Sequence, residues 1–171
     1  MKIFRLFMPQ DFFTFANAAF GVLAAVFAIR QEFTLAAIFL LAAVLMDFLD
    51  GKVARLFNKT HPYGKELDSL ADAVSFGLAA AIFGYMYLEA YSTNNIFTIA
   101  VFVLFVLCGI ARLARFNILK IKGYYLGIPI TTNGVIIPII YFIGLGAWIY
   151  PYIYLLSSIL MISSFKVKKI I

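Results

Sequence analysis

The chain has 171 residues, of which 64% are hydrophobic and 13% charged, and its mean hydropathy is +1.00. A soluble domain carries about 25% charged and about 45–50% apolar residues, so the composition excludes an ordinary soluble protein and points to an integral membrane chain. The net charge of +6 then suits anionic lipid headgroups rather than nucleic acid. One cysteine (Cys108) and one histidine (His61) exclude an intrachain disulfide, a thiolate cluster and a histidine metal site.

In chain order, Met1–Met8 comes first, with Lys2 and Arg5 among Ile3, Phe4, Leu6 and Phe7. It is either a short amphipathic helix lying on the membrane surface or a frayed terminus. The apolar run continues without a small-residue cleavage site, so no cleavable leader is expected. Six segments then read as crossings: Phe12–Ile29, Phe33–Leu56, Ser69–Leu88, Ile96–Phe116, Gly127–Ala147 and Tyr150–Phe165. Each approaches the roughly 20 residues that a helix needs to cross the hydrocarbon. Gln31 and Glu32 divide the first pair, Glu89 with Asn94 and Asn95 divides the third from the fourth, and Pro151 punctuates the last run. The expectation is one all-α integral membrane domain over 1–171, with six transmembrane helices and a short N-terminal interfacial helix.

Charge orients these spans. Lys2 and Arg5 precede the first; Lys52, Arg55, Lys59 and Lys65 lie between the second and third. Arg112, Arg115, Lys120 and Lys122 lie between the fourth and fifth, Lys166, Lys168 and Lys169 follow the sixth, and only Arg30 falls on the other side. By the positive-inside rule both termini are cytoplasmic, in the cell membrane. Tyr141, Phe142, Trp148, Tyr150, Tyr152 and Tyr154 are expected to anchor at an interface.

The chemistry sits where the acidic residues concentrate. Asp47 and Asp50 are three apart near the end of span two, and Asp68 and Asp72 are four apart at the start of span three. Those spacings put each pair on one helical face, and a short connection lets the two faces meet. An ionised aspartate inside a membrane helix costs roughly 2.5–3.5 kcal/mol, and converging like charges repel. Divalent cations answer both costs, and an all-oxygen ligand set favours Mg²⁺, Mn²⁺ or Ca²⁺ over zinc. The bland alternative pairs the aspartates with Lys52, Arg55 and Lys65. Gly51, Ala54 and Gly64 are small where bulk would block a ligand, although small residues also serve helix packing. Arg55 can grip phosphate oxygens bidentately.

Together these residues read Asp47-x-x-Asp50-Gly51-x-x-Ala54-Arg55, then Gly64, Asp68 and Asp72. The pattern resembles the signature of the CDP-alcohol phosphotransferase family, over about a sixth of the chain. The resemblance implies cleavage of a CDP-linked lipid, transfer of its phosphoryl group to an alcohol and release of CMP. It implies two divalent ions, Mg²⁺ or Mn²⁺, on Asp47, Asp50, Asp68 and Asp72, with Asp72 also the general base. Gly51, Ala54, Arg55 and Gly64 would line the CDP site, and a homodimer is implied.

The run Arg112-Leu-Ala-Arg115-Phe-Asn117, followed by Gly127-x-Pro129, looks like the phosphatidylserine synthase branch, as do Thr14, Asn17 and Gly21 on one face of span one. Thr14 and Asn17 would join the CDP site, and L-serine would be the acceptor. Arg112 and Arg115, one turn apart, could hold a serine carboxylate or the donor phosphate, or simply snorkel as anchors. Asn117 belongs with them as a candidate contact. Asn133 and Thr132, polar in an apolar span, are candidate contacts or helix–helix hydrogen bonders. Glycerol phosphate or inositol phosphate as acceptor stays open through Lys120 and Lys122. A divalent-cation transporter is the competitor from another class, since intramembrane aspartates also line ion paths.

Overall fold

Apolar chain in lipid has no water to satisfy its backbone and must fold as helices or closed barrels. The computed structural model, which describes residues 8–56, 62–91, 96–119 and 124–168, is built from helices. Helix α1 runs Pro9–Ile29 and α2 Phe33–Leu56. Pro9 opens α1 where its missing N–H costs nothing, and Asp11 Oδ2 accepts from the Met8 N–H at 2.9 Å. The turn into α2 uses Gln31 at a left-handed φ of 61°, and the Glu32 N–H returns to the Phe27 carbonyl at 2.9 Å. Ala24, Ala28, Ala36, Ala37 and Ala43 on these two helices are all fully buried. Such small residues let backbones approach closely, which drives association where the solvent is itself apolar.

The third expected crossing is longer than the sequence predicts. Helix α3 (Pro62–Asp72), a π-helical turn (Ala73–Ala79) and α4 (Ala80–Tyr91) form one unbroken rod of 30 residues. The polar start carrying Gly64 and Asp68 is helical too, because its polar face meets polar neighbours on α1 and α5. Helix α5 spans Ile96–Ile118. Among the described residues, length and composition qualify four helices to cross a membrane: Gln10–Ile29, Phe33–Leu56, Pro62–Tyr91 and Ile96–Ile118.

The last two elements are shorter than predicted. Helix α6 is Thr131–Ile143 and α7 is Tyr150–Ile162, 13 residues each, with a 3₁₀ turn at Ala147–Ile149 between them. Their flanks leave the helix for a two-stranded pairing, β1 (Tyr124–Leu126) antiparallel to β2 (Lys166–Lys168), the only strands among the described residues. Gly127 makes this possible. Its φ is +69°, and a Cβ there would lie 2.5 Å from the Met161 carbonyl oxygen. Its N–H reaches the Phe165 carbonyl at 2.9 Å. Arg115 closes the clasp, with Nη1 donating to the Ile162 carbonyl at 2.8 Å and Nη2 to those of Leu126 and Met161 at 3.0 Å. The Met161 and Ile162 carbonyls belong to the last turn of α7, which has no partners within its own helix.

The aromatic expectation divides. Trp148, Tyr152 and Phe142 are exposed, as anchors would be, but Tyr150 and Tyr154 are core residues at 1% and 0% exposure. The Tyr154 ring packs on Phe102 and Phe105 at 4.7 Å between centroids and its hydroxyl donates to the Ala80 carbonyl. A buried hydroxyl needs such an acceptor, and Gly84 provides the space, since a Cβ there would lie 2.5 Å from the ring. The N-terminal interfacial helix, Lys120 and Lys122 lie outside the described residues.

Gly127 and Gly144 test the clasp as a pair, because both hold left-handed backbone but only Gly127 abuts carbonyls. Gly144→Ala should lower the thermal midpoint in detergent by a few degrees, from a conformational cost of about 1–2 kcal/mol. Gly127→Ala should lower it distinctly further; equal shifts would mean that the carbonyl contact is unimportant.

Candidate active site

The ends of α2 and α5 and the beginnings of α1, α3 and α6 converge at one end of the bundle, and the aspartates lie there. Asp47 and Asp50 come from the last turns of α2, Asp68 and Asp72 from α3. Carboxylate oxygens of Asp47, Asp50 and Asp68 all lie within 4.8 Å of one another. Asp72 reaches the same cluster through Asp47, whose carboxylate also meets the Thr131 side chain at the start of α6. Asp50 and Asp72 are buried, whereas Asp47 and Asp68 are half-buried.

Polar groups from α1 hold two of these carboxylates. Thr14 Oγ1 donates to Asp50 Oδ2 at 3.0 Å, and Asn17 Nδ2 donates to Asp72 Oδ1 at 3.3 Å. The three basic residues that could have neutralised the cluster bond elsewhere. Lys52 stands over the Phe48 ring at 4.5 Å, Arg55 Nε donates to the Gly51 carbonyl at 3.0 Å, and Lys65 Nζ donates to the Asn117 carbonyl at 3.3 Å. Arg112, buried and 5.4 Å above the Phe116 ring, is the guanidinium whose field reaches Asp47. The residues fit a divalent cation on two counts. The donor set is entirely hard oxygen, and among the described residues Asp68 Oδ1 is buried with no hydrogen-bond partner.

Beside the cluster opens a cavity of about 350 Å³. Thr14, Asp50, Gly51, Ala54, Gly64 and Asp68 line it, together with Lys65, which the sequence offers only as an alternative partner of the aspartates, and with Gln10 and Asp11, which it does not mark as site residues. A Cβ built on Gly51 would meet nothing within 4 Å. Packing therefore does not require glycine there, and the open space is available to a ligand.

Other predicted residues are placed elsewhere. Arg55 lines a neighbouring cavity of about 590 Å³ with Phe48, Lys52 and Leu56. Asn17 is fully buried against Asp72 rather than lining the aspartate cavity. Arg115, an expected acceptor contact, has its guanidinium on the carbonyls of the α7 clasp. Asn117 joins α5 to α3, its Nδ2 donating to Ser69 Oγ at 3.0 Å and Glu66 Oε2 at 3.3 Å. Asn133 Nδ2 rests on Met161 Sδ at 3.6 Å, and its Oδ1 is buried without a partner among the described residues. Thr131 and Ser75, like Gln10 and Asp11, are polar residues at the site that sequence reasoning missed. Ser75 is a single hydroxyl in an apolar run, a pattern too common to stand out, and Thr131 directly precedes Thr132 and Asn133, which drew attention in its place.

The sequence model of the family described as CDP-alcohol phosphatidyltransferase matches residues 7–165. A CDP-diacylglycerol–serine O-phosphatidyltransferase of Helicobacter pylori is 37% identical over 140 residues, which cover 80% of this chain and 58% of that protein. The chain thus spans little more than half the length of this relative. The archaetidylserine synthase of Methanothermobacter thermautotrophicus is 38% identical over 173 residues, 99% of this chain and 73% of that protein. A CDP-diacylglycerol–serine O-phosphatidyltransferase of Methanocaldococcus jannaschii is 35% identical, covering 98% and 77%.

Metal and ligand loss should separate within this site. Asp50→Asn and Asp68→Asn are expected to weaken Mn²⁺ binding by roughly tenfold or more, read by electron paramagnetic resonance. Gly51→Val should keep the Mn²⁺ affinity and the thermal midpoint but lose binding of a cytidine nucleotide. A Gly51→Val protein that binds CMP normally would exclude this cavity as the nucleotide site.

Proposed function

The chain belongs to the CDP-alcohol phosphatidyltransferase family, and from that premise we propose that it moves the phosphatidyl or archaetidyl group of a CDP-linked lipid onto the hydroxyl of L-serine. The observation that carries this reading is the carboxylate cluster, with its unpartnered Asp68 oxygen, opening onto a cavity that Gly51 leaves empty. The serine acceptor draws on the activities for which the relatives from Helicobacter pylori, Methanothermobacter thermautotrophicus and Methanocaldococcus jannaschii are named.

Asp47, Asp50, Asp68 and Asp72 would hold two divalent ions, Mg²⁺ or Mn²⁺. Bound there, such ions supply charge neutralisation for the pyrophosphate and the departing CMP. The serine Oγ attacks the lipid-side phosphorus of the donor, and the bond from that phosphorus to the bridging oxygen breaks. CMP leaves with the bonding electron pair. The Asp72 carboxylate accepts the serine hydroxyl proton as the new phosphorus–oxygen bond forms. Gly51, Ala54 and Gly64 leave room for the cytidine diphosphate, with Thr14 at the cavity wall. Arg112, a buried cation whose field reaches Asp47, would meet the serine carboxylate.

Six crossings with both termini cytoplasmic agree with the basic residues, Arg30 excepted, falling on one side of the chain's apolar segments. In that arrangement α6 and α7, each about 20 Å of helix, complete their crossings with their non-helical flanks. The aspartates then face the cytoplasm, where water-soluble serine and a lipid-borne donor can meet, and the working unit is a homodimer. The transporter reading finds no support, because the carboxylates gather at one end of the bundle instead of marking a path through it.

Purified protein in mixed micelles with Mn²⁺ should release CMP when given serine and CDP-diacylglycerol or its ether-linked isoprenoid counterpart. Robust turnover with glycerol 3-phosphate or inositol phosphate and none with serine would overturn the acceptor. Asp72→Asn should lower turnover by about 10²–10⁴-fold while donor binding persists; an active variant would remove Asp72 from the role of base.

A further inference from the structure

Immediately after Asp72 the helical rod changes its winding. In the π-helical turn Ala73–Ala79 the backbone ring widens, a device often found at functional sites. Ser75 lies in this turn and is fully buried. A serine inside a helix commonly bonds back to its own carbonyl four residues earlier. Ser158 does so on Tyr154 at 2.7 Å, and Ser69 on Lys65 at 3.1 Å. Ser75 instead leaves its helix, and its Oγ donates to the Asn17 carbonyl of α1 at 2.9 Å.

Asn17 is fully buried as well, and its Nδ2 donates to Asp72 Oδ1 at 3.3 Å. The contacts form a closed circuit: Asp72 leads along three residues of chain to Ser75, Ser75 holds the Asn17 backbone, and the Asn17 side chain returns to Asp72. One turn further along α1, Gly21 makes this approach possible. A Cβ there would lie 2.3 Å from Ser75 Oγ and 2.6 Å from Ser75 Cα. The absence of one side chain on α1 therefore sets how deeply the π-turn can seat.

We propose that Ser75 is a positioning residue for the transfer reaction: it fixes Asn17 at the depth from which the amide orients the Asp72 carboxylate, so Asn17 serves the base rather than the cytidine nucleotide. The proposal rests on Asp72 being the base. It assigns Ser75 a role that neither its single hydroxyl nor its apolar surroundings advertises. It also gives Gly21 a reason beyond close helix packing.

The test measures CMP release at saturating and limiting CDP-lipid, with whichever acceptor supports turnover. Ser75→Ala should lower kcat by about tenfold, and Asn17→Ala by about tenfold to a hundredfold, since an ångström of misplacement can cost 10²-fold. In both, KM for the CDP-lipid should stay within about twofold, and Mn²⁺ and CMP should still bind. Because Ser75 acts through Asn17, the double variant should be no slower than Asn17→Ala alone. If Ser75→Ala does not fold, Ser75→Cys, of similar shape but a weaker donor, is read by the same criteria. A wild-type kcat in the Ser75 variant, a loss confined to donor KM, or losses that multiply in the double variant would each overturn the proposal. An active Asp72→Asn protein would instead remove the reading of Asp72 on which it rests, and that failure is recognisable by itself.

Discussion

Everything at the functional end of this bundle depends on gathering carboxylates at the end of membrane helices. A single ionised aspartate at a helix centre costs roughly 2.5–3.5 kcal/mol on the insertion scale, and neighbouring like charges add repulsion. The protein does not spread Asp47, Asp50, Asp68 and Asp72 apart or pair each with a lysine. It surrounds them with neutral donors from other helices: Thr14, Asn17 and Thr131. Such donors steady carboxylates without cancelling their charge, and a metal-binding cluster has to keep that charge.

This arrangement requires close backbones. The aspartates sit on α2 and α3, but their partners are on α1 and α6, so four elements must meet within side-chain hydrogen-bonding reach. Fully buried alanines along α1 and α2 and Gly21 against Ser75 supply the approach. The π-turn after Asp72 completes it by turning a serine out of its helix toward α1. Packing and chemistry therefore share residues, so a small change in helix spacing would alter carboxylate geometry before it unfolded the bundle.

The arginines show one residue type divided between tasks by position. Arg112 is buried over Phe116 and its field reaches Asp47, whereas Arg115, three residues on, closes the carbonyl end of α7 against β1. Arg55 turns back on its own helix and borders the neighbouring cavity. A guanidinium serves wherever several oxygens converge, whether carboxylate, phosphate or peptide carbonyl, so the residue type alone does not say which it will meet.

Read without the structure, the sequence was sufficient for the membrane class, the limits of α2 and the meeting of two aspartate faces in one carboxylate cluster, because composition and helical spacing are local properties. Gly51, Ala54 and Gly64, small in the sequence, line one cavity beside that cluster. Only the tertiary structure decided that Asn17 meets Asp72, that Thr131 joins Asp47, and that Tyr150 and Tyr154 are core rather than anchors. It alone separated Arg112 from Arg115 and shortened α6 and α7 to make room for a strand pair. Each of those outcomes depends on which residue of a distant helix lies opposite. Helical periodicity sets the face on which a side chain lies, but not its neighbour across the bundle.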